Sequence, residues 1–231
     1  MIQVLKYTSD PINEMGKMAG ICWNADLSDD DKNFKRGVEC LESGHYRVSE
    51  YPDVTIQIEY YSARMIRELY THIIGVTRLQ ESTRYVECGN FEYYVPNSIQ
   101  KNRDALNTYI ECMMEIQKSY KKLVEKIHIP VQDTANLLPL GMFTKVVLKI
   151  NCRALMHMAE IRTCTRAYEE FRKFMKELIS VLSDLGNEWK YFCENYMKTK
   201  CNKVGYCNEK NSCGKSYTKK ELEKELNWGF K

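Results

Sequence analysis

The segment Val54-Thr55-Ile56-Gln57-Ile58-Glu59-Tyr60 most narrows what this chain can fold into. Apolar and polar side chains alternate through it with the two-residue period of a strand, and its branched and aromatic residues suit a pleated surface. It reads as a strand buried on one face. Ile2 to Tyr7 reads as an opening strand, Phe91 to Val95 is strand-like up to the break at Pro96-Asn97, and Phe143 to Ile150 is a further strand. Between them the apolar period changes to that of helices. Asp29 to Ser43 places acidic residues at its start and repeats Phe34, Val38 and Leu41, with Gly44 as its stop. Ser62 to Tyr70 carries Met65, Ile66 and Leu69 on one face. Asn102 to Ile127 reads as a long amphipathic helix, ended near Ile129-Pro130, whose stripe (Leu106, Tyr109, Ile110, Met113, Met114, Ile116, Tyr120) is expected to be core. Asn151 is a good N-cap for a helix running to about Leu185, and Thr218 with Glu221 makes a capping box for a short last helix. The mixture is α+β.

A chain of 231 residues with 44% hydrophobic content can bury one substantial core, and the reading is one main domain over 1–190 with a cysteine-containing extension over 191–231. The net charge of +3 comes from 34 basic and 31 acidic residues that are interspersed, so nothing points to nucleic acid or a membrane surface, and a bound anion needs a local site. The N-terminus lacks the apolar run of a signal peptide and no stretch approaches a membrane span, which gives a cytoplasmic expectation. Of the ten cysteines, Cys22, Cys40, Cys88, Cys112, Cys152 and Cys164 are scattered and read as small core residues. Cys193, Cys201, Cys207 and Cys213 gather near the C-terminus at a spacing unlike the usual zinc knuckle. No metal ligands are assigned there; a metal, loosely packed thiols and a redox-labile bridge all stay open.

The four histidines form no HxxxH or HExxH pattern, and there is no Gly-x-Gly-x-x-Gly or phosphate loop, so a zinc hydrolase, a Rossmann site and a P-loop lack support. A nucleotide would have to be held by arginines and helix ends. Ser82-Thr83-Arg84 fits a turn where a hydroxyl, backbone amides and a guanidinium converge on a phosphate or a uracil edge. Arg153 and His157 stand one helical turn apart, able to address one ligand, with Arg162 further along for a second. Leu155, Met156, Met158 and Ile161 suggest a largely buried helix, in which an arginine calls for an anion. A surface turn and a solvated helix face are the plainer readings of the same residues.

Ser82-Thr83-Arg84-Tyr85, then Leu138-Pro139-Leu140-Gly141, then Asn151-Cys152-Arg153-Ala154-Leu155-Met156-His157 and Ile161-Arg162-Thr163 occur in an order and at a separation that resemble the flavin-dependent thymidylate synthases (ThyX). The resemblance runs from roughly Gly44 to Arg172, with Gly44-His45 and Glu50 similar to the family's Gly-His…Glu segment and Arg67 to Ile73 similar to the helix entering its signature. It implies a mainly antiparallel sheet packed with long helices. It further implies FAD contacts from His45, Arg47, Glu50, His72, Arg78, Asn151, Arg153 and His157. Nucleotide contacts would come from Glu68, Gln80, Ser82, Thr83, Arg84 and Arg162, with Arg162 also the catalytic group. The sequence departs from the family in places. Arg-His-Arg becomes Thr71-His72-Ile73, with Arg78 offered as a substitute across a one-residue insertion; read without that insertion, His72 falls on the first arginine. The signature's asparagine and glutamate are Leu79 and Gln80, and Ala135-Asn136 stand where a phosphate-binding arginine is expected.

The activity so implied is reductive methylation of dUMP to dTMP, with methylenetetrahydrofolate as carbon donor and NADPH as reductant of FAD, in a homotetramer. The cofactor carries the chemistry, so no nucleophilic cysteine is sought. Three alternatives stay open: flavin-dependent transfer of a methyl or hydroxymethyl group to another pyrimidine nucleotide, a non-catalytic paralogue, and a helical interaction domain.

Overall fold

The computed structural model describes residues 1–228. Four strands, β1 (Ile2–Tyr7), β2 (Asp53–Ser62), β3 (Val76–Gln80) and β4 (Phe143–Asn151), form one sheet in the order β1-β2-β4-β3. Neighbouring strands are antiparallel: Glu59 donates to the carbonyl of Met1 and Thr8 to that of Asp53, Ala63 to Met142 and Cys152 to Pro52, Glu81 to Lys145 and Asn151 to Gly75. Helices account for most of the remainder: α1 (Pro11–Ile21), α2 (Asp30–Glu42), α3 (Ala63–Leu69), α4 (Asn97–Gln100), α5 (Arg103–Lys121), α6 (Val131–Thr134), α7 (Cys152–Arg162), α8 (Glu169–Ser183), α9 (Asn187–Tyr196), α10 (Lys200–Val204) and α11 (Lys219–Trp228). By packing, the chain divides into two units. One comprises Met1–Leu5, Ile56–Ile73 and Thr77–Leu148; the other comprises Lys6–Thr55, Ile74–Val76 and the chain from Lys149 onward.

In the first unit, Ile56 and Ile58 of β2 and Val146 and Leu148 of β4 are buried on the phase that alternation predicts. At Tyr60 the backbone turns left-handed (φ 62°) and the alternation slips by one, so Tyr61 and Ser62 are both buried. Ser62 then caps α3, its hydroxyl accepting from the Met65 amide at 3.1 Å. Asn102 caps α5 by accepting from the amides of Asp104 and Ala105. That helix stops at Lys121 and passes into a π-helical turn, Lys122–Lys126. Its apolar stripe is less buried than expected: Met113 and Tyr120 are core, but Met114 is 61% exposed. Phe91 to Val95 is not a strand. It makes a single antiparallel bridge, Tyr93 to Met142, because Phe91 is drawn into a small cluster with Met113 and Met142 instead of continuing along β4.

In the second unit, α1 and α2 cross closely enough that a Cβ on Gly37 would lie 2.1 Å from the Ile12 carbonyl oxygen. The N-terminus of α1 has no local side-chain cap; Glu188, from the start of α9, accepts from the amides of Ile12 (2.7 Å) and Asn13 (2.9 Å). The adjacent Trp189 is fully buried and donates to the Thr8 carbonyl at 2.8 Å. The helix expected from Asn151 to about Leu185 is two helices, α7 and α8. Thr163 ends α7 by donating its hydroxyl to the Ala159 carbonyl at 2.7 Å, and Arg172 gathers the carbonyls of Thr165 and Ala167 across the break. The scattered cysteines are not uniformly core: Cys40 and Cys152 are buried, whereas Cys22 and Cys112 are exposed. Cys193 is buried in α9 with its sulfur 3.6 Å from that of Met197. The Thr218–Glu221 capping box forms as expected, with Glu221 accepting from the Thr218 amide and the Thr218 hydroxyl accepting from the Glu221 amide.

Replacing Glu188 with Ala strands two amides at the start of α1 and is expected to lower unfolding stability by about 1–2 kcal/mol in denaturant titration. Burial holds the Glu188 pKa above the usual 4.5 of a glutamate. A raised folded pKa means the folded protein binds the proton more tightly, so wild type should gain stability relative to Glu188→Gln as pH falls from that raised pKa towards 4.5.

Candidate active site

In the second unit the candidate residues are organised around Asn151, the last residue of β4. Its side-chain oxygen accepts from the Ala154 amide at 2.9 Å and starts α7, while its own amide donates to the Gly75 carbonyl at 3.0 Å. Gly75 has φ +74°, and a Cβ there would sit 2.4 Å from the Asn151 side-chain oxygen, so only glycine fits this joint. With its start fixed, α7 buries Cys152, Ala154, Leu155, Met156, Met158 and Ala159 and leaves Arg153 and His157 on the opposite, exposed face one turn apart. The helix is therefore buried but these two side chains are not, and the expectation that burial demands an anion for Arg153 fails. Arg153 instead pairs with Glu50, the last residue of a 3₁₀ turn (Tyr46–Glu50) that packs on α7. His45 and Arg47 are exposed at that turn. Arg162, at the C-terminal end of α7, is half-buried, its guanidinium 4.7 Å from the centre of the Phe171 ring.

In the first unit the signature region runs from the end of α3 through β3 into a turn. Part of the signature thus lies in a strand. Arg78 on β3 donates to the carbonyls of Tyr70 (2.9 Å) and His72 (3.4 Å) and lies 4.6 Å from the centre of the Tyr70 ring, closing the loop between α3 and β3. His72 is 8% exposed at that closure, and Glu68 is half-buried on α3. Gln80 donates to the Thr144 hydroxyl at 3.3 Å. Beyond it, the Ser82 carbonyl accepts from the amides of Tyr85 and Val86, and the Ser82 hydroxyl from the Arg84 amide at 3.3 Å, which makes the expected turn. Ser82 and Thr83 are half-buried and Arg84 is exposed.

The Arg84 side chain reaches Gln132 of α6, with 3.4 Å between Nε and Oε1. Gln132 lies three residues before Ala135, the position that lacks the expected phosphate-binding arginine, and Asn136 there bonds only to the Asp133 carbonyl. An open recess beside the turn is bordered by Glu81, Glu87 and Glu125 with Lys121, an acidic excess that disfavours a phosphate. Sequence reasoning missed Gly75 and Gln132. The first had a signal, a glycine between two apolar runs; the second had none, because only packing brings it to Arg84.

The family model of the thymidylate synthase complementing protein matches residues 3–185. The flavin-dependent thymidylate synthase of Clostridium tetani is 27% identical over 246 residues, 96% of this chain and 96% of that protein. The enzyme of the same name from Nitratidesulfovibrio vulgaris is 27% identical and covers 93% of this chain and 94% of its own. The fold is that of Helicobacter pylori ThyX, whose crystal structure holds FAD and dUMP, with a TM-score of 0.66 at 20% identity over 85% of this chain and 99% of that one. With a match that spans most of its length, the chain belongs to the thymidylate synthase complementing protein family.

Proposed function

We propose that this chain is a flavin-dependent thymidylate synthase that converts dUMP to dTMP, taking the carbon from methylenetetrahydrofolate and the electrons from NADPH through FAD. The observation that carries the reading is α7: an otherwise buried helix, started by Asn151, that turns Arg153 and His157 outward and sets Arg162 on an aromatic ring. The curated relatives named above are enzymes of this kind.

The residues fit a flavin dinucleotide in charge and donor type. His45, Arg47, Arg153 and His157 are exposed hydrogen-bond donors suited to a pyrophosphate, and Glu50 holds the Arg153 guanidinium in place. The Asn151 oxygen is committed to the cap, which leaves its amide nitrogen as the group to donate. His72 and Arg78 are internal to the α3–β3 loop, so we assign them the shaping of that loop beside any flavin contact. When bound and reduced, the flavin supplies the hydride. The protein's task is to bind and orient. Arg84, with Ser82 and Thr83, holds the nucleotide phosphate, while Glu68 and Gln80 border the sugar and base. Arg162 polarises the pyrimidine carbonyl or imide as negative charge grows on it, a role its fixed position over Phe171 suits.

Homotetrameric assembly is part of the proposal, supported by exposed apolar side chains such as Leu79, Tyr85 and Met114 that a second copy would cover. So is a cytoplasmic location; among the described residues no helix is long and apolar enough to cross a membrane. The expected domain boundary at residue 190 falls within α9, whose Trp189 and Phe192 are both buried, so the appendage we propose begins after Tyr196. A second reading, one-carbon transfer to a different pyrimidine nucleotide, is favoured by one observation: the turn at Ala135–Leu137 offers no cation to a phosphate.

Anaerobic incubation with FAD, NADPH, methylenetetrahydrofolate and dUMP should yield dTMP by mass. Bound, reducible flavin without dTMP, but with a product from another pyrimidine nucleotide, would move the assignment to the second reading. A colourless protein that takes up no FAD would identify a non-catalytic relative. Arg162→Ala should lower kcat by about 100-fold or more with flavin content retained. Arg153→Ala should lose most of its FAD on gel filtration, whereas full retention would remove Arg153 from the flavin site.

A further inference from the structure

Beyond α9 the chain runs short of apolar side chains, yet its backbone is specifically shaped. Val204 and Tyr217 are 42% and 54% exposed and supply no core. Even so, Thr199 caps α10, Gly205 ends it at φ +83°, Gly214 follows Cys213 at φ +76°, and the Cys207 amide donates to the Tyr217 carbonyl at 2.7 Å. A segment this small without a core needs some other cross-link.

The thiols offer one. Cys201, Cys207 and Cys213 of this segment and Cys164 of the break between α7 and α8 line a single cavity of about 20 Å³, room for one water-sized body. This differs from the grouping by spacing, which took Cys193 as the fourth member; Cys193 is buried elsewhere, and Cys164 replaces it through the interruption of the helix at Thr163. The sulfurs are surrounded by donors. The Thr199 hydroxyl oxygen is 3.2 Å from the Cys201 sulfur, the Ser216 hydroxyl and Asn202 amide also bond to Cys201, and the Thr165 hydroxyl and Lys215 amide bond to Cys213. An Arg166–Glu209 ion pair at 3.1 Å, both residues lining the cavity, ties the break to the segment.

We propose that Cys164, Cys201, Cys207 and Cys213 together bind one zinc ion in a closed, structural four-thiolate site. Zinc prefers four sulfur ligands in a tetrahedron at about 2.3 Å, and closed sites of this type staple short segments that lack a core. Among the described residues no three metal-ligating side chains converge on one point as they stand, so the thiols must turn inward on the ion. Binding exchanges one Zn²⁺ for the four thiol protons and leaves two negative charges, with Lys215 beside Cys213 as a partial offset, the Arg166 charge being balanced by Glu209. The sulfur-bound hydroxyls and amides are the outer partners such thiolates require.

The test uses the full chain. Elemental mass spectrometry of protein purified from zinc-supplemented medium should find about one zinc per chain, and cobalt added after zinc removal should give the intense red-region absorption of a tetrahedral thiolate site, saturating at about one equivalent. Zinc should slow alkylation of Cys164, Cys201, Cys207 and Cys213 about tenfold or more, mapped by peptide mass, and leave the exposed Cys22 and Cys112 unchanged. Cys207→Ser and Cys213→Ser should each lower zinc content about fivefold or more, with Cys112→Ser unaffected. If those variants do not fold, the cobalt and alkylation measurements on wild type decide. A wild type that takes up neither zinc nor cobalt, or full zinc in the folded serine variants, would overturn the site. So would an intact mass two hydrogens light that a reductant restores, which identifies a disulfide in the cavity.

Discussion

The second unit turns on the joint at Asn151. One side chain starts α7, one amide ties the end of β4 to the chain just before β3, and the missing side chain of Gly75 makes room for both. The direction in which Arg153, His157 and Arg162 leave α7 follows from where that helix begins. A shift of its start by one residue would rotate its apolar face by about 100° and carry the three side chains with it. The joint is built from short-range hydrogen bonds, so it is fixed before any ligand arrives, as a preorganised site requires.

What each arginine does is set by its partner. Arg153 is held by Glu50, an exposed pair of small net worth whose value lies in aiming the guanidinium. Arg78 is turned inward on two carbonyls and a tyrosine ring, which commits one guanidinium nitrogen to the loop it closes. Arg84 extends outward to Gln132, beside the turn where Ala135 stands in place of the family's arginine. Of these three, Arg84 is the one exposed at the signature turn, and position 135 beside it carries no cation.

Much of the architecture was legible in the chain. The alternation in β2, the cap at Asn151 and the Thr218–Glu221 box were read correctly because each is a relation between residues two or three apart. The errors differ in cause. Phe91 to Val95 has strand composition, but Phe91 packs with Met113 and Met142, a tertiary contact that outweighs a local preference worth only a few tenths of a kcal/mol per residue. The run from Asn151 to Leu185 has helical period throughout but is interrupted after Arg162, where Arg172 bonds to the carbonyls of Thr165 and Ala167, residues only seven and five positions away. The site was half legible: the arginines could be named, but Arg153 was expected to be buried and is exposed.

The sequence by itself determined β1, β2 and β4, the helices α2, α3 and α5, the start of α7, and through its ordered motifs the family to which the chain belongs. Only the tertiary structure decided that Glu188 caps α1, that Glu50 holds Arg153, and that Cys164 rather than Cys193 joins the three cysteines near the C-terminus. The reason is separation along the chain. Periodicity and capping act over one or two turns and leave a local trace, whereas these pairings join residues 176 and 103 positions apart in the first two cases, and packing alone selects which of several chemically equivalent side chains arrives.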